Sequence, residues 1–361
     1  MLNLCRLLLN AEPQLLVSFI VTEEWLGLLG GSLPLPPNFS FRTIPNVIPS
    51  EIGRAKDFAG FYESVLTKME APVEQLFDRL QPPEPSVIIY DTYLNWVVAM
   101  GNRRNILVAS FYTMSATVFS IFHHSNLILQ NRHFRSDFSD PQQKEQLISY
   151  MPGVPPMKIT DLPTPLHGQE VLPRALEAIK LLLKAQYLLF TSVYELESQV
   201  LDSLKEELPM KIYSLGLPIP SFNIETSIPE EKPDYMKWLD AHRRGSFLSV
   251  SNAQLDEIIG RVCDSGVRFL WVARWEVERF NGCGNGRVVP WCDQLKKEDD
   301  SLVTREEVAR LVLRLMDFKS EEAKQRRRRA KEIREICTKA SAGKGSSEID
   351  ILDFIRDFSR R

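Results

Sequence analysis

Two residues shortly after a short apolar run have side chains suited to hold a flat ring and a sugar. The run Val288-Val289-Pro290 is followed by Trp291, Cys292 and Gln294. An indole ring stacks on a planar base, and a carboxamide can both donate to and accept from hydroxyl groups. Five charged residues at positions 296–300 come next and suit neither role. This stretch therefore predicts the beginning of a site for a base and its ribose, while a plain core role for Trp291 stays open.

A second candidate is a carboxylate at the end of another apolar run. Asp91 follows Ser86–Tyr90 and precedes a stretch of helical character that extends to about Gly101. A carboxylate in this place could orient a histidine that removes a proton from a hydroxyl group, and could stabilise the imidazolium that forms. Aspartate is also favoured at the N-cap of a helix. Capping of the following helix is therefore the alternative role of Asp91.

Alternating strand and helix patterns must position these candidates. Such units predict parallel sheets, in which ligands lie beyond the carboxyl ends of the strands. Ser346 or Ser347 is predicted to cap the last helix, which runs to Phe358. The predicted strands are Leu15–Val21, as a buried strand, Ser86–Tyr90, Ile106–Ser110, Gln186–Thr191, Lys211–Leu215, Val267–Ala273 and Arg287–Pro290, and the main predicted helices are Leu2–Leu9, Glu195–Glu207, Ala253–Cys263 and Glu306–Phe318.

A proline-rich stretch divides the chain into two α/β halves. The first domain is predicted to span residues 1–215, and residues 216–233 form a linker that contains four prolines. The second domain is predicted to span residues 234–345, and residues 346–361 form the closing helix. A chain of 361 residues, of which 44% are apolar, is long enough for two such domains.

Charge and cysteine content narrow the class of protein further. A formal net charge of −3 gives no electrostatic reason to expect nucleic acid or an anionic membrane as a partner. The basic run Arg326–Arg329 lies among acidic residues on a predicted helix and is interpreted as a solvated face rather than a binding patch. The five cysteines form no CxxC pair, so neither a zinc site nor a disulfide framework is expected, and a reducing, cytoplasmic setting fits best. The apolar segment Leu2–Leu9 is too short to predict stable membrane insertion.

Longer motifs give the chain a resemblance to a known family. These motifs are VTEEWLG at Val21–Gly27, TIPNVIPSE at Thr43–Glu51, FTSVYELE at Phe190–Glu197 and SGVRFLWVAR at Ser265–Arg274. With them the chain resembles the plant family 1 UDP-dependent glycosyltransferases of the small-molecule type over nearly its whole length. The resemblance implies an α/β fold of two Rossmann-like domains that face each other, the GT-B type. It also implies that the first domain receives the acceptor, that the second holds the UDP-sugar, and that the last helix returns to the first domain.

The resemblance implies roles for the candidate residues. Asp91 matches the carboxylate that orients the general-base histidine. Trp291 would stack on uracil, the backbone of Cys292 would meet the uracil edge, and Gln294 would bond the ribose. Ser246, in the turn Gly245-Ser246, would approach the diphosphate, although an ordinary turn at a helix N-terminus is the alternative.

The implied activity is the transfer of a sugar, expected to be glucose, from UDP-sugar to a hydroxyl group of a small-molecule acceptor, with inversion. UDP-sugar is then a co-substrate, and no other cofactor is expected. No metal is expected either, because the diphosphate of this family is held by backbone amides and side chains, and the chain offers no Asp-x-Asp cluster.

The chain departs from the pattern of the family at three places. Met1 falls within the family's first helix, so the strand before it and the loop with the catalytic histidine have no match in this sequence. Ala241–Arg244 stands where an apolar strand would precede Gly245, and most of the UDP-sugar signature box is missing after Leu295. The five histidines match the base by no motif and are expected to be surface or packing residues; they lie at positions 123, 124, 133, 167 and 242.

Three hypotheses about function remain open at this point. The first is an active UDP-glycosyltransferase. The second is a catalytically inactive relative that binds an acceptor or a protein partner, and the third is the product of an incomplete gene model.

Overall fold

A computed structural model describes residues 1–29, 36–50, 57–131, 133, 146–163, 172–217, 256, 258–260, 263–264, 269–273, 286–290 and 320–360. The chain divides into two compact units. The first unit comprises Met1–Val47, Ser64–Pro220 and Glu332–Arg361, and the second comprises Ile48–Glu63 and Ser221–Lys331. Residues 332–345 thus fall in the first unit together with the closing helix.

Strands and helices alternate along the described chain. The first stretch holds α1 (Leu2–Ala11), β1 (Val17–Thr22), α2 (Glu23–Leu29), β2 (Phe39–Ile44), α3 (Phe58–Lys68) and α4 (Glu70–Phe77). It is followed by β3 (Val87–Asp91), α5 (Trp96–Arg103), β4 (Leu107–Tyr112), α6 (Ala116–His123), α7 (Ser125–Gln130), β5 (Leu147–Ile148), β6 (Met157–Lys158), a 3-10 turn (Ile159–Asp161) and α8 (Leu172–Leu182). The remaining elements are β7 (Tyr187–Phe190), α9 (Tyr194–Glu207), β8 (Lys211–Ser214), β9 (Phe269–Ala273), β10 (Gly286–Pro290), α10 (Glu321–Ser341) and α11 (Ser346–Ser359).

The main sheet of the first unit is parallel and four-stranded, in the order β3-β4-β7-β8. The four strands predicted between residues 86 and 215 are confirmed to within two residues at each end. They form because short apolar runs separated by helical segments can be buried on both faces of a parallel sheet. Each strand is joined to its neighbour through at least one helix, as parallel pairing requires.

Helices cover both faces of this sheet, and alternate residues of each strand point to opposite faces. On one face Tyr112, Leu188 and Phe190 pack with residues of α6, α8 and α9. On the other face Phe111 and Leu189 pack with residues of α1 and α11. A third cluster joins β2, α4 and α5 to the β3 end of the sheet. A doubly wound, Rossmann-like unit is the result, as the sequence predicts.

The strand predicted at Leu15–Val21 is found at Val17–Thr22, but the prediction that it is buried is wrong. It pairs in parallel with β2 in a separate two-stranded sheet, and only Thr22 of its six residues is buried. The ring of Phe19 instead packs against Phe39 and Phe41 across the pair. An apolar run indicates that a strand can be buried, but it does not indicate how many neighbouring elements will cover that strand. The strand is therefore only partly buried.

The closing helix α11 packs on the first unit. Phe354 is fully buried and contacts the rings of Tyr187 and Tyr213 in the sheet. Asp350 accepts a hydrogen bond from the backbone nitrogen of Ser214 at 2.6 Å, and Asp357 pairs with Lys211 and accepts from the hydroxyl of Tyr213. The helix is therefore fixed by apolar contacts along its length and by carboxylates near both ends.

The predicted serine cap of this helix is wrong. Gly345 is the N-cap residue, and no side chain caps the helix. Ser346 donates instead to Glu195 at 2.9 Å, and Ser347 is buried within the unit. A tertiary partner has thus replaced the local cap for Ser346, whereas the buried hydroxyl of Ser347 has no hydrogen-bond partner among the described residues.

The second unit contains a parallel pair formed by β9 and β10, as predicted from the runs at Val267–Ala273 and Arg287–Pro290. The described residues between 256 and 264 are helical. Cys263 is disulfide-bonded, whereas Cys5 and Cys337 are free. On α10 the run Arg326–Arg329 is exposed, as predicted. No helix of the described residues combines the length and the apolar composition needed to cross a bilayer.

Candidate functional site

The carboxyl edge of the four-stranded sheet gathers a set of hydroxyl-bearing side chains. The hydroxyls of Thr92 and Ser110 lie 2.8 Å apart and are buried. Ser192 follows β7 and accepts from the backbone nitrogen of Ala116 at 2.9 Å, while the hydroxyl of Ser214 donates to the carbonyl of Ser192 at 2.6 Å. These bonds tie the ends of neighbouring strands together, so the edge is a fixed platform for any group that projects from it.

Asp91 is an acidic residue at this edge, and it ends β3. Its register partner on β4 is Phe111, which places it at the last paired position of the strand. Its Oδ1 accepts a hydrogen bond from the backbone nitrogen of Tyr93 at 3.0 Å. The proposed capping role is wrong, because α5 begins only at Trp96 and Asn95 is its N-cap residue. The Tyr93 bond is a local turn that holds the carboxylate in one orientation.

The environment of Asp91 makes its carboxylate more basic than an ordinary one. Burial raises its pKa, and the hydrogen bond from Tyr93 offsets only part of that effect. Among the described residues, the contact with Tyr93 is the hydrogen bond that this carboxylate accepts. Its second oxygen is therefore available to a proton or to a hydrogen-bond donor.

None of the described histidines reaches Asp91. His123 and His124 both contact Glu207, and His133 contacts Tyr150 and Gln146. His167 and His242 lie outside the described residues. Among the histidines that the structure describes, the expectation of packing or surface roles is confirmed. An imidazole partner for Asp91 is not among them.

The N-terminus of α6 lies at the same edge and already carries a carboxylate. Glu197 accepts from the backbone nitrogens of Ala116 and Thr117 at 3.2 Å and 2.8 Å and from the hydroxyl of Thr117. A helix N-terminus attracts negative charge because its first N–H groups lack partners within the helix. The chain thus fills this anion site with its own side chain. Sequence patterns do not reveal the contact, since the partners are about 80 residues apart.

Replacing Glu197 with Gln should lower the free energy of unfolding by about 1–3 kcal/mol, because hydrogen bonds to a charged acceptor are lost and an amide N–H then faces backbone donors. Urea unfolding followed by circular dichroism measures the change. Glu195→Gln on the same helix is the matched control, because Glu195 is exposed and accepts one hydroxyl from Ser346. Equal losses in the two variants would contradict the role given to Glu197.

The residues predicted to bind the donor lie outside the described part of the chain. These are Ser246, Trp291, Cys292 and Gln294. The described strand β10 ends at Pro290, so its pairing with β9 fixes the backbone up to the residue before Trp291. The structure therefore brings Asp91 to a sheet edge and places a strand directly before Trp291, and it leaves the four donor contacts as predictions.

Parallel strands alternate with helices, and one strand ends in a carboxylate at the carboxyl edge of its sheet. This arrangement defines a Rossmann-like α/β protein. Solved structures share this fold over 99% of the chain. The TM-score is 0.75 with Os79 from O. sativa in complex with UDP, at 18% identity and 97% coverage of that chain. It is 0.72 with UGT71G1 of Medicago truncatula complexed with UDP-glucose, at 18% identity and 95% coverage of that chain. The predicted GT-B class is thereby confirmed.

Sequence comparison then identifies the family. The chain is 37% identical to UDP-glycosyltransferase 87A1 of Arabidopsis thaliana over 431 residues, which covers 100% of the chain and 97% of that relative. It is likewise 37% identical to UDP-glycosyltransferase 87A2 of the same plant, over 99% of the chain and 93% of the relative. The chain belongs to the plant family 1 UDP-glycosyltransferases.

Two further results complete the comparison. No protein-family model matches the chain. The alignment with the first relative is longer than the 361 residues of this chain, so it opens gaps inside the chain. Internal gaps of this kind agree with the segments that the sequence lacks before Gly245 and after Leu295.

Proposed function

We propose that this protein transfers a sugar, with glucose as the first candidate, from UDP-sugar to a hydroxyl group of a small-molecule acceptor. The acceptor hydroxyl loses its proton to a base while its oxygen forms a bond to the anomeric carbon. The bond from that carbon to the diphosphate oxygen breaks, and its electron pair leaves with UDP. Attack opposite to the leaving group inverts the anomeric configuration.

The observation that carries the proposal is the half-buried carboxylate of Asp91 at the sheet edge. One of its oxygens is held by Tyr93, and the other accepts from none of the described residues. A carboxylate with a raised pKa is a better proton acceptor than an ordinary aspartate, whose pKa near 4 leaves it a weak base at neutral pH. Asp91 therefore acts on the acceptor proton, either directly or through an imidazole that it orients.

The donor half of the proposal rests on the second domain, assigned to residues 234–345. Trp291 would stack on uracil, the backbone of Cys292 would contact the uracil edge, Gln294 would bond the ribose, and Ser246 would approach the diphosphate. The strand that precedes Trp291 supports this assignment, because ligands of parallel sheets lie beyond the carboxyl ends of strands. The acceptor would be received by the first domain, residues 1–215, with residues 216–233 as the linker.

One observation favours a second candidate, which is binding without transfer. The described histidines are all engaged elsewhere, so none supplies a general base next to Asp91. Loss of general-base catalysis lowers a rate by about 10²–10⁴-fold and leaves ligand binding in place. The protein would then retain a UDP-sugar or an acceptor and turn over very slowly.

Titration calorimetry and turnover assays on the same preparation separate the two candidates. We expect UDP and UDP-glucose to bind, and UDP to be released in the presence of a panel of phenols and alcohols. Binding of UDP-glucose without release of UDP above the buffer rate would select the second candidate. Absence of binding by UDP, by UDP-glucose and by every acceptor tested would overturn both.

Free imidazole added to the turnover assay tests how Asp91 acts. If Asp91 works through an imidazole, added imidazole should accelerate the wild-type protein and leave the Asp91→Asn variant unchanged. If Asp91 takes the proton itself, the wild-type rate should not respond. N-methylpyrrolidone, which has a similar size and no basic nitrogen, is the control for solvent effects.

A further inference from the structure

Two helices of the first unit end at one cluster of side chains that can bind a metal ion. His123 ends α6, His124 follows it, and Glu207 ends α9. The Nε2 atom of His123 lies 3.1 Å from one carboxylate oxygen of Glu207, and the Nε2 atom of His124 lies 2.9 Å from the other. All three ligand atoms lie within 4.8 Å of one another. Among the described residues, this group of three is the one with such a spacing.

The tautomer of His124 is fixed by its other nitrogen. Nδ1 lies 2.8 Å from the backbone carbonyl of Ser120, which can only accept, so Nδ1 carries a proton. In the neutral ring Nε2 then has a lone pair, and that lone pair faces a carboxylate oxygen that is also an acceptor. Two acceptors at this distance repel each other. A metal ion between the two atoms would bind both lone pairs and remove the repulsion.

We propose that His123, His124 and Glu207 bind a first-row divalent metal ion, with Zn²⁺ as the ion best matched to them. Two imidazole nitrogens and one carboxylate form a common ligand set for zinc, and a proton donated from the far nitrogen to a backbone carbonyl is the usual support of a metal-binding histidine. In a tetrahedron with bonds of about 2.0–2.1 Å, neighbouring ligand atoms are about 3.3 Å apart. Each Nε2 lies near this distance from one carboxylate oxygen, and the other separations among the ligand atoms must close from at most 4.8 Å to admit the ion.

The ends of the two helices add to the attraction for a cation. The carbonyl groups of the last helical turn have no partners within the helix, so a helix C-terminus carries partial negative charge. The cluster lies at the C-terminus of both α6 and α9. Glu207 adds a full negative charge, and its carboxylate oxygens face the Nε2 atoms of both histidines. A divalent ion there gains from three sources of negative potential.

The ion can reach this site and would act on structure rather than on sugar transfer. Glu207 is exposed, with 42% of its side chain accessible, so a metal ion can enter from solvent and keep a water molecule as its fourth ligand. α9 begins just after β7, at the carboxyl edge, is kinked at Glu197, and ends at Glu207, ten residues and about 15 Å beyond the kink. The site therefore joins the far ends of α6 and α9 and lies away from Asp91.

Zinc titration of the full chain tests the proposal. The protein is treated with EDTA, freed of chelator, and titrated with ZnCl₂ in a calorimeter at pH 8 and at pH 6. We expect one zinc ion per chain, bound with micromolar or tighter affinity at pH 8 and more weakly at pH 6, because both imidazoles must be free of protons at Nε2. Zinc should also raise the melting temperature, because it binds only the folded chain.

Variants of the ligands separate this site from other zinc-binding groups such as Cys5 and Cys337. His124→Asn and Glu207→Gln should each weaken zinc binding at least about tenfold. His133→Asn is the matched control, since His133 bonds Tyr150 and Gln146 and should leave affinity unchanged. Circular dichroism in the absence of zinc checks that each variant folds. If one of the two ligand variants does not fold, His123→Asn is tested in its place. Absence of zinc binding to the wild-type chain at 100 μM, or equal affinity in the wild type and the ligand variants, would overturn the proposal.

Discussion

Replacing Asp91 with Asn should lower the rate of sugar transfer by about 10²–10⁴-fold, with little change in the affinity for UDP-glucose. The amide has the shape of the carboxylate, so its oxygen can still accept from the backbone nitrogen of Tyr93. It can no longer take up a proton or stabilise an imidazolium. Initial rates of UDP release measure the first effect, and calorimetric titration with UDP-glucose measures the second.

The melting temperature of the same variant is a control for structural damage. Burial raises the pKa of Asp91, so in the range between the unfolded and folded pKa values the folded chain binds more protons than the unfolded chain. Stability therefore falls as the pH rises through this range, and the ionised carboxylate remains a cost at pH 7. The Asn variant should then melt at a temperature at least as high as the wild type at pH 7. A slow variant that melts lower would point to structural damage, and a variant with the wild-type rate would remove Asp91 from the chemistry.

Replacing Phe354 with Ala should lower the free energy of unfolding of the first unit by about 3–5 kcal/mol. The ring is fully buried and packs against Tyr187, Tyr213 and Phe358, with centroid distances of 5.4, 5.6 and 5.1 Å. Its removal leaves a cavity between α11 and the sheet that rigid neighbours cannot fill. Because whole domains are stable by only about 5–15 kcal/mol, this one change removes a large share.

Urea unfolding followed by far-ultraviolet circular dichroism measures the loss. Leu352→Ala is the matched control, because Leu352 lies on the same helix, has a similar preference for helix, and is 39% exposed. We expect that control to change stability by less than about 1 kcal/mol. A loss of similar size in both variants would mean that the substitutions lower stability by weakening the helix itself. The packing of Phe354 would then not be the cause of the loss.

The strands of the main sheet and of the β9–β10 pair are predicted well because their signals are local, whereas β2, β5 and β6 have no counterpart among the predicted strands. Val87–Asp91, Leu107–Tyr112 and Tyr187–Phe190 are short apolar runs between helical patterns, and such runs form parallel strands whatever lies elsewhere. The position of Asp91 follows directly, since it is the first charged residue after its run. The β9–β10 pair was found in the same way.

Features that depend on distant partners were not predictable in this way. Glu197 accepts hydrogen bonds from the N-terminus of α6, and Glu207 contacts two histidines. In both cases the partners are about 80 positions apart in the sequence. The cap expected at Ser346 or Ser347 failed because those side chains face other parts of the unit. Burial of β1 was overestimated for a related reason, because the number of strands beside a run is set by topology and not by the run.

Because α11 comes late in the chain, it is synthesised well after the sheet that it covers. The face of the main sheet that carries Phe111, Leu189 and Tyr213 is covered in part by residues 346–359, a helix that leaves the ribosome after the other described elements. Synthesis of residues 221–331 must come between that sheet and its cover. Until then a nascent chain presents an uncovered apolar face, which makes it a substrate for chaperones and prone to aggregate when translation stalls. The first unit can therefore complete its fold only after the second has been synthesised.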